Sequence, residues 1–193
     1  GGAAPGANGG SRGALLVGAG AGNAVDDVIA VADALGAGCG KALLGKAVLP
    51  DDLPWVTGTI GLLGTKPSAD LMRECDTLLM IGATFPYGEF LPKEGQARGV
   101  QIDIDGKNLS LRYPMEVNLT GDAGDTLRAL LPLLTPKTDG AWRKHITSNP
   151  EKWQETERSS AQVHAHPGKP AINCTQPPPP IPAPCIPSVH PQT

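Results

Sequence analysis

At 193 residues the chain has room for one hydrophobic core and a remainder. A formal net charge of -3 leaves no surplus of Lys and Arg to neutralise a phosphate backbone, which argues against nucleic acid as a partner. The four cysteines, Cys39, Cys75, Cys174 and Cys185, form no Cys-x-x-Cys pair, so isolated reduced thiols are expected rather than a zinc site or a disulfide framework.

Residues 1–12 are rich in Gly and are expected to be a flexible segment. They carry no apolar stretch of the kind a signal peptide needs, and the longest apolar runs, such as 77–81, are far too short to cross a bilayer. A soluble cytoplasmic protein is the expectation. Ala14-Leu-Leu-Val17 then runs straight into Gly18, the pattern of a buried parallel strand stopping at a glycine turn. Val25, Val28, Ala32 and Leu35 repeat at helical spacing behind it, with Asn23 as a candidate N-cap, Asp26 and Asp27 in the first turn, and Gly36 and Gly38 as the stop.

The same unit recurs along the chain. Lys41–Leu44 offers a second short strand, 67–74 a helix with Leu71 on its apolar face, and Thr77–Ile81 a continuous apolar strand ending at Gly82. Val100–Ile104 is apolar enough for another strand, and Asp125–Leu134 is a leucine-rich helix with Asp122 as a candidate N-cap. Strands separated by helices predict a parallel α/β sheet with right-handed crossovers and helices on both faces.

In such a sheet ligands sit beyond the carboxyl ends of the strands. Gly18-Ala-Gly20-Ala-Gly22 stands at one such end, either as a simple strand-to-helix turn or as a phosphate-binding loop. The third glycine of a Gly-x-Gly-x-x-Gly fingerprint falls at Asn23, and Lys41 and Lys46 stand where an acidic ribose partner would close the second strand, which disfavours NAD. Thr57-Gly58-Thr59-Ile60-Gly61 is read as a close-wrapping loop with hydroxyls to offer, or an ordinary loop. Gly82-Ala83-Thr84-Phe85-Pro86-Tyr87 follows the strongest strand and so lies at the ligand edge. Asp103 and Asp105 end the strand before Gly106, either as acceptors for a ribose or adenine or as turn caps.

Taken in order, 49–55, 57–64, 75–79, 82–87, 101–105 and 117–122 resemble the central domain of thiamine diphosphate-dependent enzymes of the pyruvate oxidase and quinone-dependent pyruvate dehydrogenase group, over about residues 13–157. The resemblance implies a Rossmann-like, six-stranded parallel sheet binding FAD in an extended pose. Thr57, Gly58, Thr59 and Ile60, with Gly82, Ala83, Thr84, Phe85, Pro86 and Tyr87, would line the flavin. Gly18 and Gly20 would approach the diphosphate, Asp103 would lie near the adenosine, and Gly121 and Asp122 near the adenine end. The family's full-length enzymes decarboxylate a 2-oxo acid such as pyruvate on thiamine diphosphate with magnesium, pass electrons to flavin, and assemble as homotetramers, with peripheral membrane contact confined to full-length relatives. A carboligating synthase of the acetolactate type, or a non-catalytic structural module, are the alternatives.

The expected organisation is therefore a flexible segment at 1–12, the central domain at 13–136, a linker helix at 137–160 towards a thiamine-binding domain, and a disordered Pro-rich tail at 161–193. The activating glutamate and the Gly-Asp-Gly magnesium motif of the family have no counterpart, since Gly121-Asp122 is followed by Ala123; no catalytic residue is expected, and the chain alone is expected to be inactive. After Arg158 the sequence changes abruptly to His164-Ala-His166 and the proline block 177–180, which suggests a frameshifted or truncated product. The two histidines lack the further ligands a metal needs.

Overall fold

The computed structural model describes residues 3–148, which all belong to one compact unit, Gly1–Gln154; a second unit, Glu155–Thr193, lies outside the described residues. The expectations for the Pro-rich tail, Cys174, Cys185 and the His164-Ala-His166 pair fall there, as does the end of the linker helix, of which 141–148 is helical.

Six strands form one sheet: β1 Gly13–Val17, β2 Gly38–Lys41, β3 Val56–Thr59, β4 Thr77–Ile81, β5 Arg98–Asp103 and β6 Val117–Thr120. Their order is β3-β2-β1-β4-β5-β6 and every pairing is parallel. This is a doubly wound, Rossmann-like sheet whose topological switch point lies between β1 and β4. Those two central strands are buried at every position, which explains their unbroken apolar sequences.

Alternation along the strands feeds two cores. Leu15, Val17, Leu79, Ile81, Val100 and Ile102 point to one face, covered by α1 Ala3–Asn8, α2 Val25–Ala34 and α4 Ala123–Leu130. Leu16, Leu78 and Met80 point to the other, covered by α3 Lys66–Glu74 and by Ile146 of the 141–148 segment. Each fully buried Leu or Ile contributes about 2 kcal/mol of apolar transfer energy, so the sheet is held chiefly from its two faces.

Helix ends follow local chemistry with one exception. The Thr65 hydroxyl accepts the Ser68 N–H to start α3, and the Asp122 carboxylate accepts the Asp125 N–H to start α4. α2 stops at Gly36, whose φ of +55° lets the Ala37 N–H reach back to the Ala32 carbonyl at 2.9 Å and the Gly36 N–H to Asp33 at 3.2 Å. Asn23 does not cap α2: Ala24 holds that position without a side-chain bond, and the Asn23 amide turns instead to Asp122.

The second strand begins three residues earlier than the sequence suggests, and 43–45 is a 3-10 turn rather than strand. Lys41 closes β2 fully buried, its ammonium donating to the Leu49 carbonyl at 2.8 Å and to the Asp51 carboxylate, so this lysine ties down the 42–55 crossover. Both described cysteines are free and buried, and burial pushes the Cys39 and Cys75 thiols up to about 12, which makes them poor nucleophiles.

The segment expected to be flexible carries α1. Its small residues are the reason: Ala3, Ala4 and Ala7 are buried, and a Cβ on Gly6 would stand 2.9 Å from Val100 Cγ2, so the helix lies directly on the sheet. Asn8 then bonds the Leu133 carbonyl and the Thr135 N–H, and Asp76 accepts from the Ser11 N–H, the Ser11 hydroxyl and the Arg12 N–H.

Burial raises the Asp76 pKa, but the bonds from Arg12 and Ser11 outweigh it and hold the carboxyl below its ordinary value. A carboxyl with a depressed folded pKa stabilises the fold above its unfolded value near 3.9, and that stabilisation is lost as pH falls through the folded pKa. Asp76→Asn is therefore expected to cost about 1–2 kcal/mol in urea melts at pH 7. The gap to the parent should close as pH drops below about 4. A gap independent of pH would mean the charge is irrelevant.

Candidate functional site: a cleft across the strand ends

Each strand delivers a loop to the carboxyl edge of the sheet, and together these loops line one cleft of about 900 Å³ that crosses all six strand ends. At the switch point, Gly18 and Gly20 after β1 meet Gly82 after β4. The Gly18 N–H donates to the Ile81 carbonyl at 3.0 Å and the Gly20 N–H to the Gly82 carbonyl at 3.1 Å. A Cβ on Gly18 would collide with the Gly82 carbonyl oxygen, and one on Gly20 would stand 2.8 Å from Gly82 Cα. Backbone-to-backbone contact thus explains these two glycines, and both N–H groups already have partners.

The two halves of the cleft differ chemically. Towards β2 and β3 it is lined by Leu43 and Leu44, Ile60, Leu62 and Leu63, with Phe85 and Tyr87 of the β4 loop alongside. The four leucines are largely exposed, an apolar collar that the cleft presents to solvent. Phe85 is buried and meets the Tyr87 ring edge-on, with centroids 5.7 Å apart. Towards β5 and β6 the lining gathers polar side chains, Asp103, Asn108, Asn23 and Asp122, beside Ile102 and the exposed Ile104. Among the described residues the only charged side chains lining the cleft are those two aspartates, so no Lys or Arg there faces a ligand anion.

Asp122 and Asn23 clasp each other across the cleft's polar end. The Asn23 amide donates to Asp122 Oδ2 at 3.0 Å while Oδ1 caps α4, and these bonds, the Asn23 one foremost, hold the Asp122 carboxyl below its ordinary value. Both Asp122 oxygens are therefore engaged. Asp103 and Asp105 part company: Asp103 lines the cleft, whereas Asp105 caps the 106–108 turn through the Lys107 N–H.

Thirteen of the residues the resemblance assigns to the cofactor line the cleft: Gly18, Gly20, Thr59, Ile60, Gly82, Ala83, Thr84, Phe85, Pro86, Tyr87, Asp103, Gly121 and Asp122. Thr57 and Gly58 do not. The segment read as a loop is β3, and Thr57 sits inside it, its hydroxyl donating to the Cys39 carbonyl at 3.0 Å and paired with Ser68 Oγ at 2.9 Å. Gly58 faces the α3 cap, since a Cβ there would stand 2.6 Å from Thr65 Cγ2. The leucine collar, Asn23 and Asn108 were not among the expected site residues. A sequence signal for the collar exists in the repeated Leu-Leu-Gly at 43–45 and 62–64, each just past a strand end.

Among the described residues no three His, Cys, Asp or Glu side chains gather as a metal site. No helix among them is long and apolar enough to cross a membrane.

A doubly wound parallel sheet with an elongated cleft over its switch point places the chain in the class of α/β domains that take ligands beyond the strand carboxyl ends. More narrowly, residues 8–130 match the family described as thiamine pyrophosphate enzyme, central domain, and the chain belongs to that family. It is 33% identical over 150 residues to the "Putative thiamine pyrophosphate-containing protein YdaP" of Bacillus subtilis (strain 168), covering 77% of this chain and 26% of that one. Acetolactate synthase isozyme 2 large subunit of Escherichia coli (strain K12) matches at 33% over 107 residues, 53% of this chain and 19% of that one. Pyruvate oxidase of Lactiplantibacillus plantarum matches at 26% over 110 residues, 56% of this chain and 18% of that one. Among solved structures, the "putative thiamin diphosphate-dependent enzyme isolated from Mycobacterium smegmatis" superposes with a TM-score of 0.59 at 26% identity, covering 72% of this chain and 28% of that one. The match thus spans between 18% and 28% of the length of each of these proteins.

Proposed function

We propose that the cleft binds FAD, and that the chain is the central domain of a thiamine diphosphate-dependent enzyme that decarboxylates a 2-oxo acid such as pyruvate and passes its electrons to the flavin. The observation that carries this reading is the continuous cleft with an apolar collar at one end and carboxylate and amide groups at the other, the polarity of a flat ring system joined to an adenosine. The isoalloxazine belongs with Ile60, Phe85, Tyr87 and the leucines, the diphosphate with the turn around Gly18 and Gly20, and the adenosine with Asp103. A bound flavin would accept electrons; the residues here bind it, orient it and keep water from its ring face. Thiamine diphosphate and magnesium belong to the remaining length of the relatives, and the decarboxylation is assigned to the whole enzyme.

Acetolactate-type carboligation is the second reading, favoured by the higher identity to the synthase than to the oxidase. It makes the same demand on this cleft with flavin in a structural role. Titration of FAD with the purified chain, followed by flavin fluorescence and the visible spectrum, tests the common core of both. Quenching with a saturable isotherm and co-elution of flavin are expected. Unchanged fluorescence at a protein excess sinks the assignment and leaves a non-catalytic module.

A further inference from the structure

The polar end of the cleft is built around one carboxylate and the groups that hold it. Asp103, the last residue of β5, is only 6% exposed. Its Oδ1 accepts the Asp105 N–H at 2.9 Å and the Asn108 side-chain amide at 3.1 Å. Its Oδ2 has no hydrogen-bond partner among the described residues. No fully buried side-chain oxygen among them lacks a partner, so Oδ2 keeps some exposure, and Asp103 is a lining residue of the cleft.

Asn108 is itself fixed from two sides. Its N–H donates to the Asp105 carbonyl at 3.0 Å, and its own carbonyl accepts the Gln101 side-chain amide at 3.1 Å. Gln101, 2% exposed, also accepts the Ser110 N–H at 2.8 Å and reaches the Ala83 carbonyl at 3.4 Å. One buried amide thus ties the 104–110 turn to the β4 loop, and Ser110 keeps a left-handed φ of +55° in that turn.

A desolvated carboxylate with one oxygen saturated and the other open calls for a single donor. A ribose hydroxyl supplies it. A phosphate on that ribose brings a second anion against Asp103 in a lining that holds no cation among the described residues, which is strongly unfavourable. We infer, resting on the adenine-dinucleotide reading above, that Asn108 and Gln101 are positioning residues. They hold Asp103 so that the cleft selects an adenosine with free ribose hydroxyls and rejects one carrying a 2′- or 3′-phosphate.

The test is displacement of FAD by ADP, 2′-deoxy-ADP, 2′-phospho-ADP and 3′-phospho-ADP, read by recovery of flavin fluorescence. The parent chain is expected to favour ADP over at least one phosphorylated analogue by about a hundredfold or more, and over the deoxy analogue by about tenfold, the range for one hydrogen bond to a charged group. Asn108→Ala should compress the ADP to deoxy-ADP ratio to about threefold or less, and Asp103→Asn should relax the rejection of phosphate. A merely structural role for Asn108 would lower melting temperature without touching that ratio. FAD binding with equal competition by all four nucleotides, failure of ADP to compete, or full discrimination retained by Asn108→Ala overturns this inference alone. No binding of FAD or ADP overturns the parent reading as well.

Discussion

Gly82→Ala is expected to cost about 2–5 kcal/mol, a large part of the 5–15 kcal/mol that holds a domain of this size together. Two costs add. The first is conformational: Gly82 has a φ of +56°, and an L side chain in that region costs about 1–2 kcal/mol. The second is steric, because a Cβ there would stand 2.5 Å from Gly20 Cα and carbonyl carbon and 2.8 Å from the Ala21 nitrogen. These are backbone atoms of the turn after β1, packed against the turn after β4, and have no rotamer to escape into, so overpacking adds about 1–3 kcal/mol. Gly95→Ala is the internal control. Gly95 has a φ of +76°, but nothing lies within 4 Å of its Cβ position, so it should cost about 1 kcal/mol. Guanidinium melts of both variants separate the terms, and equal losses would refute the close packing of the β1 and β4 turns. Because the contact forms the cleft floor, Gly82→Ala should weaken FAD binding too, through displacement of the 18–22 turn.

That contact also shows what the sequence could and could not disclose. The central strands β1 and β4 read directly because burial on both faces demands unbroken apolar runs, and the glycines that follow them mark the cleft floor. β2, Gly-Cys-Gly-Lys, is legible only in part: two residues without side chains give no period, and its last position is a buried lysine whose partners come from eight and ten residues further on. β6 is an edge strand with Asn118 and Thr120 exposed, so it looks like loop. Asn23 has the chemistry of an N-cap, yet Asp122, 99 residues away, claims its amide; no local rule contains that partner. β3 is bulged, with Cys39 opposite Val56 but Gly40 opposite Gly58, so simple alternation does not place its threonines: the Thr57 hydroxyl turns to Ser68 in the core, and only Thr59, at the strand end, reaches the cleft. The α1 segment reversed its expectation because small residues, read as flexibility, are also what lets a helix lie close upon a sheet.

The adjacent aromatics Phe85 and Tyr87 should separate stability from binding in a way that neighbouring positions rarely do. Phe85 is 4% exposed and packs in the core with Ile60 and Leu91; its ring edge would be 3.4 Å from a Cβ on Gly61. Phe85→Ala removes a buried ring and leaves a cavity between the β3 turn and the β4 loop, which should cost about 3–5 kcal/mol. Tyr87 is 41% exposed, so Tyr87→Ala should cost little stability, within about 0.5 kcal/mol. Its ring lines the apolar end of the cleft, edge-on to Phe85 and to Phe90. Losing one aromatic contact to a flat ligand should weaken FAD by about tenfold while ADP, confined to the polar end, is unaffected. Phe85→Leu keeps most of the core volume and should recover most of the stability. Calorimetric melts and parallel FAD and ADP titrations on the three variants are the measurement. If Tyr87→Ala weakened ADP as much as FAD, the ring system would not lie at the leucine end, and the orientation of the dinucleotide in the cleft would have to be reversed.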